Sequence, residues 1–166
     1  MRYCVLFGSP HKDKKTARLL KSFLEKEKTD NFDIIYAYDT PLEPCTDCGG
    51  CAEGGGCVKS DFPVVQSIYE RISEADVFVL ASPVYFNSAP APLKCIIDRM
   101  QPYFIKKYVL GQRGEKKPRG VLILCGGEKE REGRREMLKT QYKYVFDVLG
   151  FDISEFIYAA NTDAEK

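Results

Sequence analysis

Charge of one sign is what this sequence lacks: 25 Lys and Arg face 24 Asp and Glu, for a formal net charge of +1. A dedicated nucleic-acid binder is normally distinctly basic, so no nucleic-acid partner is expected. Histidine is nearly absent. His11 stands alone, there is no nucleophile elbow, and a hydrolytic triad has no support. Long apolar runs are missing as well. None could span a bilayer, and no signal pattern precedes the first apolar segment, so no membrane and a cytoplasmic home are the expectation. With neither repeats nor a low-complexity linker, residues 1–166 read as one domain, long enough for a proper core. Glycine is missing where two nucleotide motifs require it. A mononucleotide P-loop needs Gly directly before Lys-Ser/Thr, and here Lys14 precedes Lys15-Thr16. A dinucleotide fingerprint needs three spaced glycines, and only Gly8 is in place.

What is present begins at Tyr3-Cys4-Val5-Leu6-Phe7, apolar on both faces, as an inner strand of a parallel sheet must be. Gly8 breaks it and Pro10 forbids its continuation. From Thr16 to about Lys28, Leu19, Leu20, Phe23 and Leu24 recur at helical spacing. The loop between them directs backbone N–H groups and a helix N-terminus at one point, which suits a phosphate. Hydroxyls of Ser9 and Thr16 and the cations of Lys12, Lys14 and Lys15 surround that point, and His11 is placed to donate to a phosphate oxygen or to sit on the surface.

Further along, Phe32–Tyr38 reads as a more polar, edge-like strand, and Asp76–Ala81 and Val121–Cys125 as inner strands. Phe151–Tyr158 alternates in part and reads as a second edge. A helix with Pro63 in its first turn carries Val64, Val65, Ile68, Tyr69 and Ile72 on one face. Another runs through Leu93, Ile96, Ile97 and Met100. Gln101–Pro118 reads as a basic, irregular surface excursion. The charged run Glu128–Glu136 is expected to open a helix bearing Leu138, Tyr142, Val145 and Leu149, stopped by Gly150. Strands alternating with helices imply parallel pairing and right-handed crossovers. The expected fold is therefore α/β: a flavodoxin-like three-layer sandwich with a five-stranded parallel sheet in the order 2-1-3-4-5. In that order ligands bind outside the carboxyl ends of strands 1 and 3. The loops there are Gly8–Thr16 and Pro83-Val84-Tyr85-Phe86-Asn87-Ser88, with Gly126-Gly127 on the same edge. The second loop mixes aromatic and polar residues, which suits a flat amphipathic flavin or a hydrophobic plug at a strand end.

Between Asp39 and Ser60 there is no regular periodicity, and four of the seven cysteines crowd there: Cys45, Cys48, Cys51 and Cys57. In a cytoplasmic chain such a group points to metal or redox chemistry more than to a disulfide framework. Three thiolates at three-residue spacing and a fourth close by can ligate a cubane cluster. A structural zinc site usually comes as two separated pairs. Thiol redox chemistry within a C-x-x-C, or four free thiols, stand as further readings. Cys4, Cys95 and Cys125 fall in apolar surroundings and are assigned no chemistry.

Two stretches carry a family resemblance: Gly8-Ser9-Pro10-His11-Lys12, and Ser82-Pro83-Val84-Tyr85-Phe86 continued by Ala91-Pro92-Leu93-Lys94 and Ile97-Asp98-Arg99. They resemble the NAD(P)H-dependent FMN reductase and iron–sulfur flavoprotein families, with similarity of pattern from the first strand to about Phe156. The resemblance implies FMN with its phosphate in the first loop; the families usually carry Arg where His11 stands and Gly-Asn where Lys14-Lys15 stand, and the residues expected to hold the phosphate here are Ser9, His11, Lys14, Lys15 and Thr16. The ring would lie against Pro83, Val84, Tyr85, Phe86, Asn87, Ser88, Gly126 and Gly127. It implies NAD(P)H as co-substrate and hydride transfer to the flavin, with electrons passed to an unknown acceptor. The alternative is a non-enzymatic FMN electron carrier. Cys45, Cys48, Cys51 and Cys57 match the spacing of the iron–sulfur flavoproteins, which implies a possible [4Fe-4S] cluster. No catalytic acid or base is assigned.

One element is absent. A flavodoxin-like domain closes with a helix after its fifth strand, and Ala159–Lys166 are too few to form one unaided. Apolar surface around the first and fifth strands is then expected to be covered by a second copy, as a homodimer or homotetramer. The other possibility is that Gln101–Pro118 folds over the gap.

Overall fold

The computed structural model describes residues 1–52, 56–112, 114 and 117–164. Five strands alternate with helices. They are β1 (Tyr3–Phe7), β2 (Phe32–Tyr36), β3 (Val77–Pro83), β4 (Lys117–Cys125) and β5 (Phe151–Ala159). The helices are α1 (Lys15–Lys26), α2 (Phe62–Ser73), α3 (Ala91–Asp98), the short α4 (Gln101–Phe104) and α5 (Arg134–Val148). All strand pairs are parallel, in the order β2-β1-β3-β4-β5. The inner strands read from sequence are the ones buried on both faces: every residue of β1 is buried, as are Val77–Ser82 of β3. The register places Phe7 beside Ala81 and Pro83 beside Cys125. The ends of β1, β3 and β4 therefore open onto one edge, where the loops expected to bind ligand begin.

The two faces are covered unequally. On one, Cys4, Leu6, Phe78, Leu80, Leu122 and Leu124 pack against residues of α2, α3 and α5, including Ile68, Ile72, Leu93, Ile96, Leu138 and Phe146. On the other, Tyr3, Val5, Phe7, Val79, Val121 and Ile123 meet a single helix, through Leu20, Phe23 and Leu24 of α1. Among the described residues no helix follows β5. α1 lies over β3 and β4, with Arg119 of β4 pairing with Glu27 at 2.7 Å and Lys26 with Glu155 of β5 at 3.7 Å. β1 is thus shielded. Among the described residues a groove of about 650 Å³ lies open between α1 and β2, floored by Phe7, Leu20, Leu24, Ile34 and Tyr36. Phe7 of the first strand floors this groove, and Ile153, Phe156 and Ile157 of the fifth strand stay partly exposed.

The described part of Gln101–Pro118 does not fold over that groove. Its first part is α4 followed by a wider helical turn, Ile105–Val109. Tyr103 stacks on Tyr69 of α2, and Lys107 pairs with Asp147 of α5 at 3.0 Å, so the segment belongs to the opposite face. Residues 113, 115 and 116 of that excursion, and 53–55 of the cysteine loop, lie outside the described residues. Two further corrections follow. Val64 is exposed while Val65, Ile68 and Ile72 turn inward, because the buried stripe of α2 is narrower than its apolar composition. The charged run Glu128–Glu136 opens its helix later than its first residue. Gly133 is left-handed at φ 75°, and the Glu128 carbonyl accepts from the Asn161 N–H at 2.7 Å, so α5 starts at Arg134.

Candidate cofactor site and cysteine pocket

The first loop leaves β1 under tight constraint. The Gly8 N–H donates to the Ala81 carbonyl at 2.8 Å. A Cβ at Gly8 would stand 2.6 Å from Leu93 Cδ2 and 2.9 Å from Ser82 Oγ, so only glycine lets β1, β3 and α3 meet here. Ser9 is buried, and its hydroxyl accepts from the His11 N–H at 3.2 Å, curling the loop back on itself. Thr16 is buried in the first turn of α1. His11 and Lys14 are exposed, and Lys15 is partly exposed. Lys14 occupies the N-cap without a side-chain cap, and no acid stands in the first turn. An anion fits the first-turn N–H groups of such a helix better than any neutral group. Lys12 does not join this cluster. It pairs with Asp39 and lies over the Tyr36 ring, 4.2 Å from its centroid.

The second loop starts beside the first. Val84 N–H donates to the Cys125 carbonyl at 2.8 Å, which ties it to β4. Tyr85 and Ser88 exchange both backbone hydrogen bonds, at 3.0 and 2.9 Å. The two residues between them, Phe86 at φ 50° and Asn87 at φ 60°, are both left-handed. This is the two-residue turn that normally takes Asn-Gly, and a bulky residue in its first central position is strained. Phe86 is fully exposed. Beside Asn87 a cleft of about 400 Å³ runs along Glu128, Arg131, Arg134 and Met137. Gly126 closes the edge at β4. Its N–H donates to the Ala159 carbonyl, and its own carbonyl accepts from the Thr162 N–H and hydroxyl. A Cβ at Gly127 would collide with the Asp163 carboxylate. What this pair can offer a ligand is bare backbone at Gly127.

Cys45, Cys48, Cys51 and Cys57 line one cavity of about 170 Å³, together with Lys59, Asp98 and Arg99. All seven cysteines are free thiols. Burial raises the Cys51 thiol, and the neighbouring Cys57, Cys45 and Cys48 push it further the same way, so the four sulfurs sense one another. Among the described residues no three His, Cys, Asp or Glu side chains converge closely enough for a single metal ion.

Sequence reasoning missed the group that holds this pocket. Arg99, at the C-terminus of α3, is 1% exposed. Its Nη2 donates to Asp61 Oδ1 at 2.6 Å and to Cys57 Sγ at 3.6 Å. Its Nη1 donates to Asp61 Oδ2 at 2.9 Å and to the Glu43 carbonyl at 2.8 Å. Asp61 Oδ2 also accepts from the Glu43 N–H at 2.8 Å. The Arg99 guanidinium hydrogen-bonded to Asp61 holds its carboxyl down at about 2. A signal was available. Arg99 falls three residues after buried Ile96, on the apolar stripe of α3, and a cation there must find a partner.

The order of the sheet and the crevice at its carboxyl edge define a flavodoxin-like α/β protein. Solved structures of that fold superpose over nearly the whole chain. They include an NAD(P)H:quinone oxidoreductase from Methanothermobacter marburgensis (TM-score 0.65, 18% identity, 96% of this chain and 83% of that one). An FMN-dependent NADH-azoreductase from Bacillus anthracis in complex with FMN matches similarly (TM-score 0.64, 18% identity, 98% and 89%). At such identities the likeness is one of fold. The model of the NADPH-dependent FMN reductase family matches residues 1–152, and the chain belongs to that family. Among curated relatives it is 30% identical over 129 residues to an iron–sulfur flavoprotein of Archaeoglobus fulgidus, covering 76% of this chain and 56% of the relative. It is 30% identical over 131 residues to an iron–sulfur flavoprotein of Methanosarcina thermophila, covering 78% and 65%. The chain therefore spans less than two thirds of the length of these relatives.

Proposed function

We propose that this chain is an FMN-binding oxidoreductase that takes hydride from NAD(P)H and passes electrons to an acceptor, and that Cys45, Cys48, Cys51 and Cys57 are the residues that would hold a [4Fe-4S] cluster and its one-electron chemistry. The observation that carries the proposal is the meeting of two constrained loops at the ends of β1 and β3, where Gly8 bonds to Ala81. Ser9, His11, Lys14, Lys15 and Thr16 would bind the phosphate through hydroxyls, charge and the uncapped turn of α1. Pro83, Val84, Tyr85, Phe86, Asn87 and Ser88 would hold the ring, with Gly126-Gly127 as a wall free of side chains. Bound there, the flavin would supply two-electron chemistry with nicotinamide and onward transfer of electrons. α3, about 12 Å long, begins just after the ring loop and ends beside Arg99 on the cysteine pocket, so one short helix joins the two regions. The anaerobic visible spectrum, with iron and sulfide assay, tests both groups at once. Flavin bands with about one cluster per chain after reconstitution are expected. A colourless protein without calorimetric FMN uptake defeats the flavin proposal.

The cysteine pocket also favours a second reading, a non-enzymatic electron carrier. NAD(P)H oxidation rates separate the two, since a carrier is slow with nicotinamide and fast with a reduced protein partner. We further propose that a second copy covers the α1–β2 groove. Its apolar floor is rimmed by cations (Lys21, Lys28) and acids (Asp13, Asp30), and such mixed signs are self-complementary across a two-fold axis. Sedimentation equilibrium at micromolar concentration should give a dimer or tetramer, and a clean monomer overturns it. Free thiols throughout suit the reducing cytoplasm.

A further inference from the structure

We propose that Arg99 is the positioning residue of the cysteine pocket: it fixes the Cys57 sulfur in the metal-free protein and raises the reduction potential of a cluster bound there. The second half rests on the cluster reading above, and the first does not. Arg99 bridges both stems of the 45–57 loop. Its Nη1 holds the Glu43 carbonyl two residues before Cys45, and its Nη2 reaches the Cys57 sulfur at the other end. Asp61 completes the brace by accepting from Glu43 N–H and from both ends of the guanidinium. Glu43 and Lys59 add a 2.9 Å ion pair across the same stems. A buried cation costs desolvation that its partners must offset, and this one is placed where it serves two chain segments and a thiol.

The chemistry of the donor explains the potential. A hydrogen bond and a positive charge at a ligand sulfur stabilise the more negative, reduced cluster over the oxidised one. Lysine keeps the charge beside the sulfur but not the full brace. A single ammonium lacks the planar fork that meets a carboxylate with two bonds while holding a carbonyl and a sulfur.

The test uses Arg99→Gln, Arg99→Lys and the double variant Arg99→Gln/Asp61→Asn. The double variant removes both charges together and so leaves no buried unpaired carboxylate. In metal-free protein, limited proteolysis of residues 43–61 should run about tenfold faster in Arg99→Gln, the effect of losing a buried charged brace. Arg99→Lys should restore part of the protection. In reconstituted protein, spectroelectrochemistry should show a lower cluster potential in Arg99→Gln and in the double variant, but not in Arg99→Lys. Wild-type protection in both Arg99→Gln and the double variant overturns the positioning role. An unchanged potential in the double variant overturns the tuning role. If wild-type protein takes up no iron, the cluster reading and the tuning role fall together, and the proteolysis alone decides the positioning role.

Discussion

Two loops at the same edge of the sheet are built on different principles. The Gly8–Thr16 loop and its neighbour Pro83–Ser88 are held by main-chain bonds to strand ends, through Gly8 to Ala81 and Val84 to Cys125. Their shape follows from the sheet. The cysteine loop is instead gathered at its base by side chains, chiefly Arg99 and Asp61. A cradle fixed by backbone changes little when one side chain is lost. A pocket fixed by a buried ion pair depends on each partner and on the protonation of one carboxylate.

The largest expected effect therefore falls on the cysteine side. Asp61→Ala leaves Arg99 buried without its counter-charge and should cost about 3 kcal/mol or more of stability, read by urea denaturation. FMN affinity should change far less. The same pair carries a pH dependence. The Asp61 carboxyl is held at about 2, below its ordinary value. Its stabilisation is present above about pH 4 and is lost as pH falls through the folded value. Asp61→Asn should flatten that acid limb, and an unchanged limb would show that other carboxylates govern it.

On the cradle side, Gly8→Ala should destabilise by about 2 kcal/mol, because its Cβ would overlap Leu93 and Ser82 where three elements meet. Thermal unfolding checks this, and FMN uptake should fall with it. Thr16→Ala should leave the fold intact and weaken FMN by about 1 kcal/mol, a roughly fivefold rise in Kd by calorimetry. An equal effect of Thr16→Ala on the proteolysis of residues 43–61 would erase the distinction between the two regions.

The contrast also explains what the sequence could reveal. Val5, Val79 and Val121 sit in strands apolar on both faces, which marks inner positions of a parallel sheet and hence the strand order. From that order the crevice follows. Arg99 was hidden because a buried cation is legible only once its partner is known, and Asp61 lies 38 residues away. The charged run at Glu128 misled for a related reason. Its composition favours helix, but the Asn161 N–H claims its carbonyl, a contact no local pattern encodes. The α1–β2 groove was not foreseen because the position of α1 over β3 and β4 involves long-range pairs such as Glu27 with Arg119.

The smallest effect concerns Phe86, where the cradle itself departs from economical design. Phe86 is left-handed at φ 50° and fully exposed, so it bears backbone strain without gaining from burial. Phe86→Gly should relieve the strain, with part of the gain lost to the greater freedom of glycine in the unfolded chain. A net stabilisation of about 0.5 kcal/mol follows, a rise in Tm of about 1–2 °C by differential scanning calorimetry. Strain kept at an exposed aromatic needs a ligand that uses the ring. The same variant should therefore lose FMN affinity while gaining stability. If Tm rises and FMN binding is untouched, Phe86 is no part of the ring site. If Tm does not rise, the turn is not strained.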